Sequence, residues 1–78
     1  MEKTLGLHQL LPGQRAVVKE LHAGGSMRRR LLDIGLIVNT PVECLGRSPG
    51  GDPSAFLIRG AVIALRASDS ADVILTTE

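Results

Sequence analysis

The chain has 78 residues, 44% of them hydrophobic, a single aromatic residue, Phe56, and a formal net charge of +1. This length predicts one domain, residues 1–78, with a small core built from Leu, Ile, Val and Ala. The lone aromatic excludes modules that stack bases on several aromatic rings, and the near-neutral charge gives no strong electrostatic footprint for nucleic acid.

The first part of the chain predicts two extended segments separated by a turn. Residues 1–11 mix leucines with polar residues and predict a short strand or an extended segment lying along the body of the domain. Pro12 and Gly13 then form a strong turn signal. Residues 15–21 (RAVVKEL) predict the first regular strand, because they are rich in β-branched residues and alternate loosely.

A helix is predicted over residues 26–34, the one stretch with both a start and a stop signal. Ser26 is predicted to be the N-cap, since its hydroxyl can accept a hydrogen bond from a free backbone N–H of the first turn. An apolar stripe follows at helical spacing, made of Met27, Leu31, Ile34 and, widening it, Leu32. So short a helix is not stable alone in water, so we expect it to dock on the rest of the domain.

The predicted helix ends at a glycine. Gly35 follows the last periodic residue, where a left-handed conformation carries no Cβ penalty, and Leu36 can fold back onto the helix as the accompanying hydrophobic contact. Asn39, in the connector that follows, is the residue best able after glycine to adopt a left-handed turn conformation.

The second half of the chain reads as short strands separated by turn signals. Residues 41–47 predict a strand with Val42 and Cys44 on one face and Glu43 on the other. Further strands are predicted at 54–59, 61–65 and 72–77, with a turn cluster at 48–53, a glycine at 60 that makes either a hairpin or a bend, and a single helical turn within 66–71.

These strands predict a mainly β fold, a small barrel of five or six strands. Closing the sheet would remove edges that so small a chain cannot otherwise cover. The helix would then plug or flank one open end of the barrel.

Candidate metal ligands and catalytic groups are sparse. His8, His22 and Cys44 do not occur at the spacings of a closed zinc site, so we expect no metal and no other cofactor. No arrangement of nucleophile, base and orienting group is apparent, so we expect no enzyme. The lone cysteine, the lack of a signal peptide and the absence of a long apolar run predict a cytoplasmic protein.

Three arginines, Arg28, Arg29 and Arg30, form the most distinctive polar feature. They can form a solvated helix face on which one arginine packs its stem, a surface for docking another protein, or a weak and salt-sensitive nucleic-acid site. The sequence leaves all three interpretations open.

In order and spacing, several motifs together resemble the FeoA family of bacterial ferrous iron uptake. They are LPG at residues 11–13, RRLLDIGL at 29–36, SPGGDP at 48–53, and Gly60 followed by ALR at 64–66. The resemblance implies an SH3-like barrel and a partner, the membrane permease FeoB, whose cytosolic G-domain binds guanine nucleotide. It does not imply that this chain hydrolyses or transports anything. A metal-sensing regulatory SH3-like module and a small nucleic-acid-binding barrel remain as alternatives.

We expect the partner-binding surface to lie on the helix and the glycine-rich turns. A helix inserted where a tight hairpin would have served creates a seam with the barrel, which an apolar anchor of the partner could enter while arginines line the rim. The residues expected to form this surface are Gly24, Gly25, Arg28, Arg29, Leu36, Pro49, Gly50 and Asp52.

Overall fold

A computed structural model describes residues 3–77. The strands are β1 (Lys3–Gly6), β2 (Arg15–Leu21), β3 (Pro41–Arg47), β4 (Ser54–Ile58), β5 (Ala61–Leu65) and β6 (Val73–Thr77). The helices are a 3-10 turn (Leu7–Gln9), α1 (Gly25–Asp33) and the single turn α2 (Ala67–Ser70).

Within residues 3–77, the six strands form one antiparallel sheet with the order β1-β6-β2-β3-β4-β5. The predicted mainly β architecture with one main helix is confirmed. The sheet does not close, however, because β1 pairs only with β6 and β5 pairs only with β4 within these residues. Two edges therefore remain, where sequence reasoning expected closure to remove them.

The strand predictions hold where apolar alternation is clear. β2, β3 and β5 have the predicted bounds, and in β3 Val42 and Cys44 are buried while Glu43 is half-buried. β4 and β5 form a hairpin, so Gly60 lies in a turn between two strands and does not bend a single strand. Arg59 (φ 51°) and Gly60 (φ 83°) make its two-residue turn, so β4 ends one residue earlier than predicted.

The amino-terminal segment is only partly the predicted strand. After β1, the chain turns into the 3-10 helix, which buries Leu7 completely. The side chain of Gln9 holds this turn, because its Oε1 accepts a hydrogen bond from the Gly6 N–H at 2.9 Å. That side-chain bond has no periodic signature, so the hydrophobic pattern did not reveal it.

The start of α1 differs from prediction. Gly24 is the N-cap, with an extended backbone (φ −116°, ψ 174°), and Ser26 lies inside the first turn. Gly25 precedes it at φ 58°, a left-handed conformation that glycine adopts without a Cβ clash. The chain thus enters the helix before Ser26, and no side chain caps it.

The end of α1 confirms the predicted glycine stop. The Leu36 N–H donates to the Leu31 carbonyl at 3.1 Å, the Gly35 N–H donates to the Leu32 carbonyl at 3.0 Å, and Gly35 has φ 100°. These two bonds define a Schellman motif, and both Leu31 and Leu36 are fully buried. Asn39 has the expected positive φ of 75°.

The buried face of α1 is narrower than predicted. Leu31 is fully buried and Met27 and Ile34 pack partly against the core, but Leu32 keeps 36% of its surface exposed. The helix therefore docks through one stripe of side chains, with Leu32 beside it. The buried hydrophobic cluster it joins consists of Leu7, Leu10, Ala16, Val18, Ala23, Leu31, Leu36, Val42, Cys44, Phe56, Ile58, Leu65, Val73 and Leu75.

Candidate partner-binding site

The arginines of α1 are exposed but not equivalent. Arg28 donates from Nη1 to the Leu21 carbonyl at 3.1 Å, so it links the helix to the end of β2. The side chains of Arg29 and Arg30 have no hydrogen-bond or ion-pair partner within residues 3–77. Two guanidinium groups, with ten N–H donors between them, are therefore available to acidic or carbonyl groups of another molecule.

The amino-terminal end of α1 is open to solvent. Gly24 and Gly25 are exposed, and a Cβ placed on either would meet no atom within 4 Å. Another chain could approach the backbone closely at these two residues. Gly24, Gly25, Arg28 and Arg29 thus lie together at the amino-terminal end of α1, whereas the sequence placed the two glycines in a turn before the helix. That they bind a partner stays a prediction.

Leu36 does not belong to the accessible part of this surface. Its side chain is fully buried, opposite Leu31 in the Schellman motif. It supports the end of α1 from beneath and cannot contact a partner while the domain stays folded.

The loop at residues 48–53 is tied to α2 rather than to α1. The Asp52 Oδ1 accepts a hydrogen bond from the Ala67 N–H at 2.9 Å, which satisfies a free donor of the first turn of α2. Within the loop, the Gly51 N–H donates to the Ser48 carbonyl at 2.7 Å, and Pro49 and Gly50 are exposed. The eight predicted residues therefore fall into an α1 group, an α2-linked loop and one buried leucine.

Large apolar side chains near the end of α1 were missed by sequence reasoning. Leu32, Ile37 and Val38 expose 36%, 42% and 59% of their surfaces. The available signal was the apolar run at residues 36–38 inside a predicted connector, where the pattern required no burial. We call these three side chains, the exposed Arg30 and the α1 group (Gly24, Gly25, Arg28, Arg29) together the α1 surface.

The candidate metal ligands serve no common site among the described residues. His22 Nε2 lies 2.6 Å from Glu20 Oε2 in an exposed pair, Cys44 is buried in the core, and His8 is exposed. Within residues 3–77, no three His, Cys, Asp or Glu side chains lie close enough together to bind a metal ion.

None of the helices formed by residues 3–77 has the length and hydrophobicity needed to span a membrane.

Comparison with known proteins identifies the family. The family model described as FeoA domain matches residues 5–76. A FeoA-like protein from Clostridium acetobutylicum is 30% identical, with 99% of this chain and 88% of that one covered and a TM-score of 0.86. A search of curated protein sequences gave no match.

Two further structures extend the comparison. FeoA of Stenotrophomonas maltophilia, solved in complex with zinc and described as a prokaryotic SH3 domain protein, is 29% identical over 91% of this chain and 88% of that one, with a TM-score of 0.77. A manganese-dependent transcriptional repressor matches 95% of this chain with 41% of its own length, at 17% identity and a TM-score of 0.84, which shows a shared fold alone.

The predicted SH3-like architecture is confirmed by this likeness. FeoA is an accessory, transport-related domain and not a known enzyme family. With the family model matching almost its whole length, the chain belongs to the FeoA family, which is associated with ferrous iron transport.

Proposed function

We propose that this protein is a cytoplasmic accessory protein of ferrous iron uptake that binds the cytosolic G-domain of the FeoB permease through its α1 surface. The binding regulates the permease and requires no chemistry by this chain. Family membership supports the pathway, and the α1 surface supports the mode of action.

The observation that carries the proposal is the combination of free arginines and exposed apolar side chains around one short helix. Arg29 and Arg30 lack partners within residues 3–77, and Ile37 and Val38 are exposed although they are large and apolar. Interfaces typically bury apolar anchors at the centre and surround them with charged groups that exclude water. The α1 surface carries both components.

The distribution of charge indicates the sign of the partner's surface. Neither Arg29 nor Arg30 forms an ion pair within the described chain, although Asp33 lies one turn further along α1. Acidic groups on the partner would steer association and then pair with the guanidinium groups at the rim. A positively charged or neutral partner would gain no such advantage.

Charge reversal at one arginine tests the proposal. Arg29→Glu should weaken binding to the isolated G-domain about tenfold, about 1.4 kcal/mol, and mainly by slowing association. Lys3→Glu is the matched control, because Lys3 is exposed on β1 and the change in net charge is the same. Both variants should melt like the parent, since exposed charges contribute little to stability.

Binding should be measured with and without guanine nucleotide on the G-domain, at low and physiological salt. A folded Arg29→Glu variant with the affinity and on-rate of the parent would move the interface to another face. If Lys3→Glu weakens binding equally, the loss of affinity comes from the net charge of the protein and not from the position of Arg29. The alternatives have their own readouts, which are direct binding of ferrous iron in a metal titration and salt-dependent binding of nucleic acid.

A further inference from the structure

β5 is an edge strand with an unusual composition. It pairs with β4 alone, and none of the backbone hydrogen bonds outside the ladders of residues 3–77 involves it. Its five residues, AVIAL, contain no charge and no proline, and Val62 keeps 68% of its surface exposed. Proteins usually protect such an edge with lysine, proline or a bulge, because an uncovered edge accepts another strand.

The β4–β5 turn determines which backbone groups of β5 are free. With positive φ at both Arg59 and Gly60, the two-residue turn is type I′, and Ile58 and Ala61 are the pair that closes it. A closing pair of this kind exchanges both of its N–H···O=C bonds, and such pairs then alternate along an antiparallel ladder with pairs that exchange none.

Counting from the closing pair, the odd-numbered residues of β5 bond to β4. Val62 and Ala64 are the residues in between, opposite Leu57 and Ala55. Their N–H and C=O groups therefore point away from β4, towards the free edge of the sheet. An incoming strand would find two donors and two acceptors, spaced for pairing.

An apolar groove of about 480 Å³ lies beside this edge, on the outer face of β3, β4 and β5. The side chains of Val62 and Ala64 line it, together with Ala55, Pro53 and Leu45, which is 42% exposed. A strand added to β5 would direct every second side chain to this same outer face, because side chains alternate along a strand. The groove could thus take apolar side chains from the added strand.

Positive charge borders β5 at both ends. Arg59 lies in the turn before the strand, Arg66 follows it directly, and Arg47 lines the groove. Asp52, whose carboxylate accepts a hydrogen bond from the Ala67 N–H, and Asp69 of α2 lie at the same end as Arg66, but neither forms an ion pair with it. Both Arg59 and Arg66 are exposed and have no ion-pair partner in the described residues.

These charges disfavour a second copy of the chain at the edge. Self-pairing that uses Val62 and Ala64 of both copies would be centred on Ile63. Arg66 of one copy would then lie opposite Gly60 of the other and one residue from its Arg59, at each end of the paired strands. Like charges this close repel each other, most strongly at low salt.

From the free backbone groups, the groove and the flanking arginines, we propose that the β5 edge binds an extended segment of a partner protein. That segment carries apolar side chains at alternate positions and acidic residues at both ends, and it adds a seventh strand to the sheet. The β5 edge shares no residue with the α1 surface, although the Arg59 stem lies beside Gly35 at the end of α1. The inference does not depend on the permease being the partner.

Two synthetic peptides test the proposal on the full-length protein. Each has six central residues alternating valine and threonine, flanked at both ends by two glutamates in one peptide and two lysines in the other. The acidic peptide should slow amide hydrogen exchange at Val62 and Ala64 at least tenfold, and the basic peptide should bind at least tenfold more weakly. Equal binding of both, or no protection at these two amides, would overturn the proposal.

Two variants distinguish strand addition from nonspecific peptide binding. Ala64→Pro removes an outward-pointing N–H without removing a ladder bond, so the fold should persist while peptide binding is lost. Arg66→Glu leaves Arg59 at one end of β5 and a negative charge at the other, so most of the preference for the acidic peptide should be lost. An unchanged preference would overturn the proposal even if the proline variant fails to fold. Arg29→Glu on α1 is the control and should leave peptide affinity unchanged.

The alternative occupants give different results. Sedimentation of the parent as a dimer, with Val62 and Ala64 protected without peptide, would mean that a second copy covers the edge and would overturn the proposal. Peptide binding that survives Ala64→Pro in a folded protein would place the peptide elsewhere and would also overturn it.

Discussion

Replacing Gly35 by alanine tests how the end of α1 is built. Gly35 has φ 100°, and a Cβ added there would lie 2.6 Å from the Cδ and 3.3 Å from the Cγ of Arg59. The left-handed backbone costs a non-glycine residue about 1–2 kcal/mol. Moving the flexible arginine stem out of its rotamer adds about 1 kcal/mol. The expected loss is about 2–3 kcal/mol, a large share of the roughly 5 kcal/mol available to so small a domain.

Thermal melts of four variants separate the two contributions. Gly35→Ala should lower the melting temperature by at least about 8 °C, since about 1 kcal/mol corresponds to about 4–8 °C in a domain of this size. In an Arg59→Asn background, where asparagine tolerates the positive φ, the loss should fall to the backbone term of about 1–2 kcal/mol. Gly50→Ala is the control, because its φ is not positive and a Cβ there meets no atom within 4 Å.

Two results would contradict this reasoning. An equal loss in both backgrounds would mean that the Arg59 stem does not oppose a Cβ at Gly35. A Gly35→Ala variant as stable as the parent would mean that the Schellman motif does not require a left-handed residue here.

Two further predictions concern the core and metal. Leu31→Ala should destabilise the domain by about 2–4 kcal/mol, because it opens a cavity beneath α1, and coincident melts of variant and parent would remove Leu31 from the core. A chelator should leave the melting temperature within about 1 °C of the untreated value, and a clear drop would show that a metal stabilises the folded state.

Local patterns predicted most of the elements. β-Branched alternation located β2, β3 and β5, and the glycine after the apolar stripe located the end of α1. Each of these signals acts within a few residues, where backbone sterics and side-chain periodicity decide the structure. Asn39 is a further case, since its positive φ follows from its own side chain and the turn around it.

The features that were missed depend on contacts distant in the chain or on single side-chain bonds. Whether β1 pairs with β5 depends on the curvature of the whole sheet, and whether Leu32 is buried depends on how far α1 rolls towards the core. The predicted start of α1 is wrong because the helix begins at an exposed glycine N-cap, where the free N–H groups of the first turn can bond to water and no serine cap is needed. The Asp52–Ala67 bond joins residues 15 positions apart, so no local pattern reveals that the loop belongs with α2.

The same limits apply to the candidate site. The arginine cluster and the exposed glycines were visible in the sequence, but the free β5 edge follows only from the strand order. For Leu36 the sequence supports two incompatible predictions, a hydrophobic contact with the helix at the glycine stop and a place in the partner-binding surface. Its complete burial next to a Schellman motif agrees with the first.

The most direct test of the central claim is an NMR titration of the isotope-labelled protein with the unlabelled G-domain of the permease. We predict that the backbone amide signals that change most belong to residues 24–30, 37 and 38, in the α1 surface, and that saturable binding is observed. Signal changes confined to the β-strands or to α2, or no signal change at all with a folded and nucleotide-loaded G-domain, would contradict the assignment of the α1 surface as the one that binds the permease.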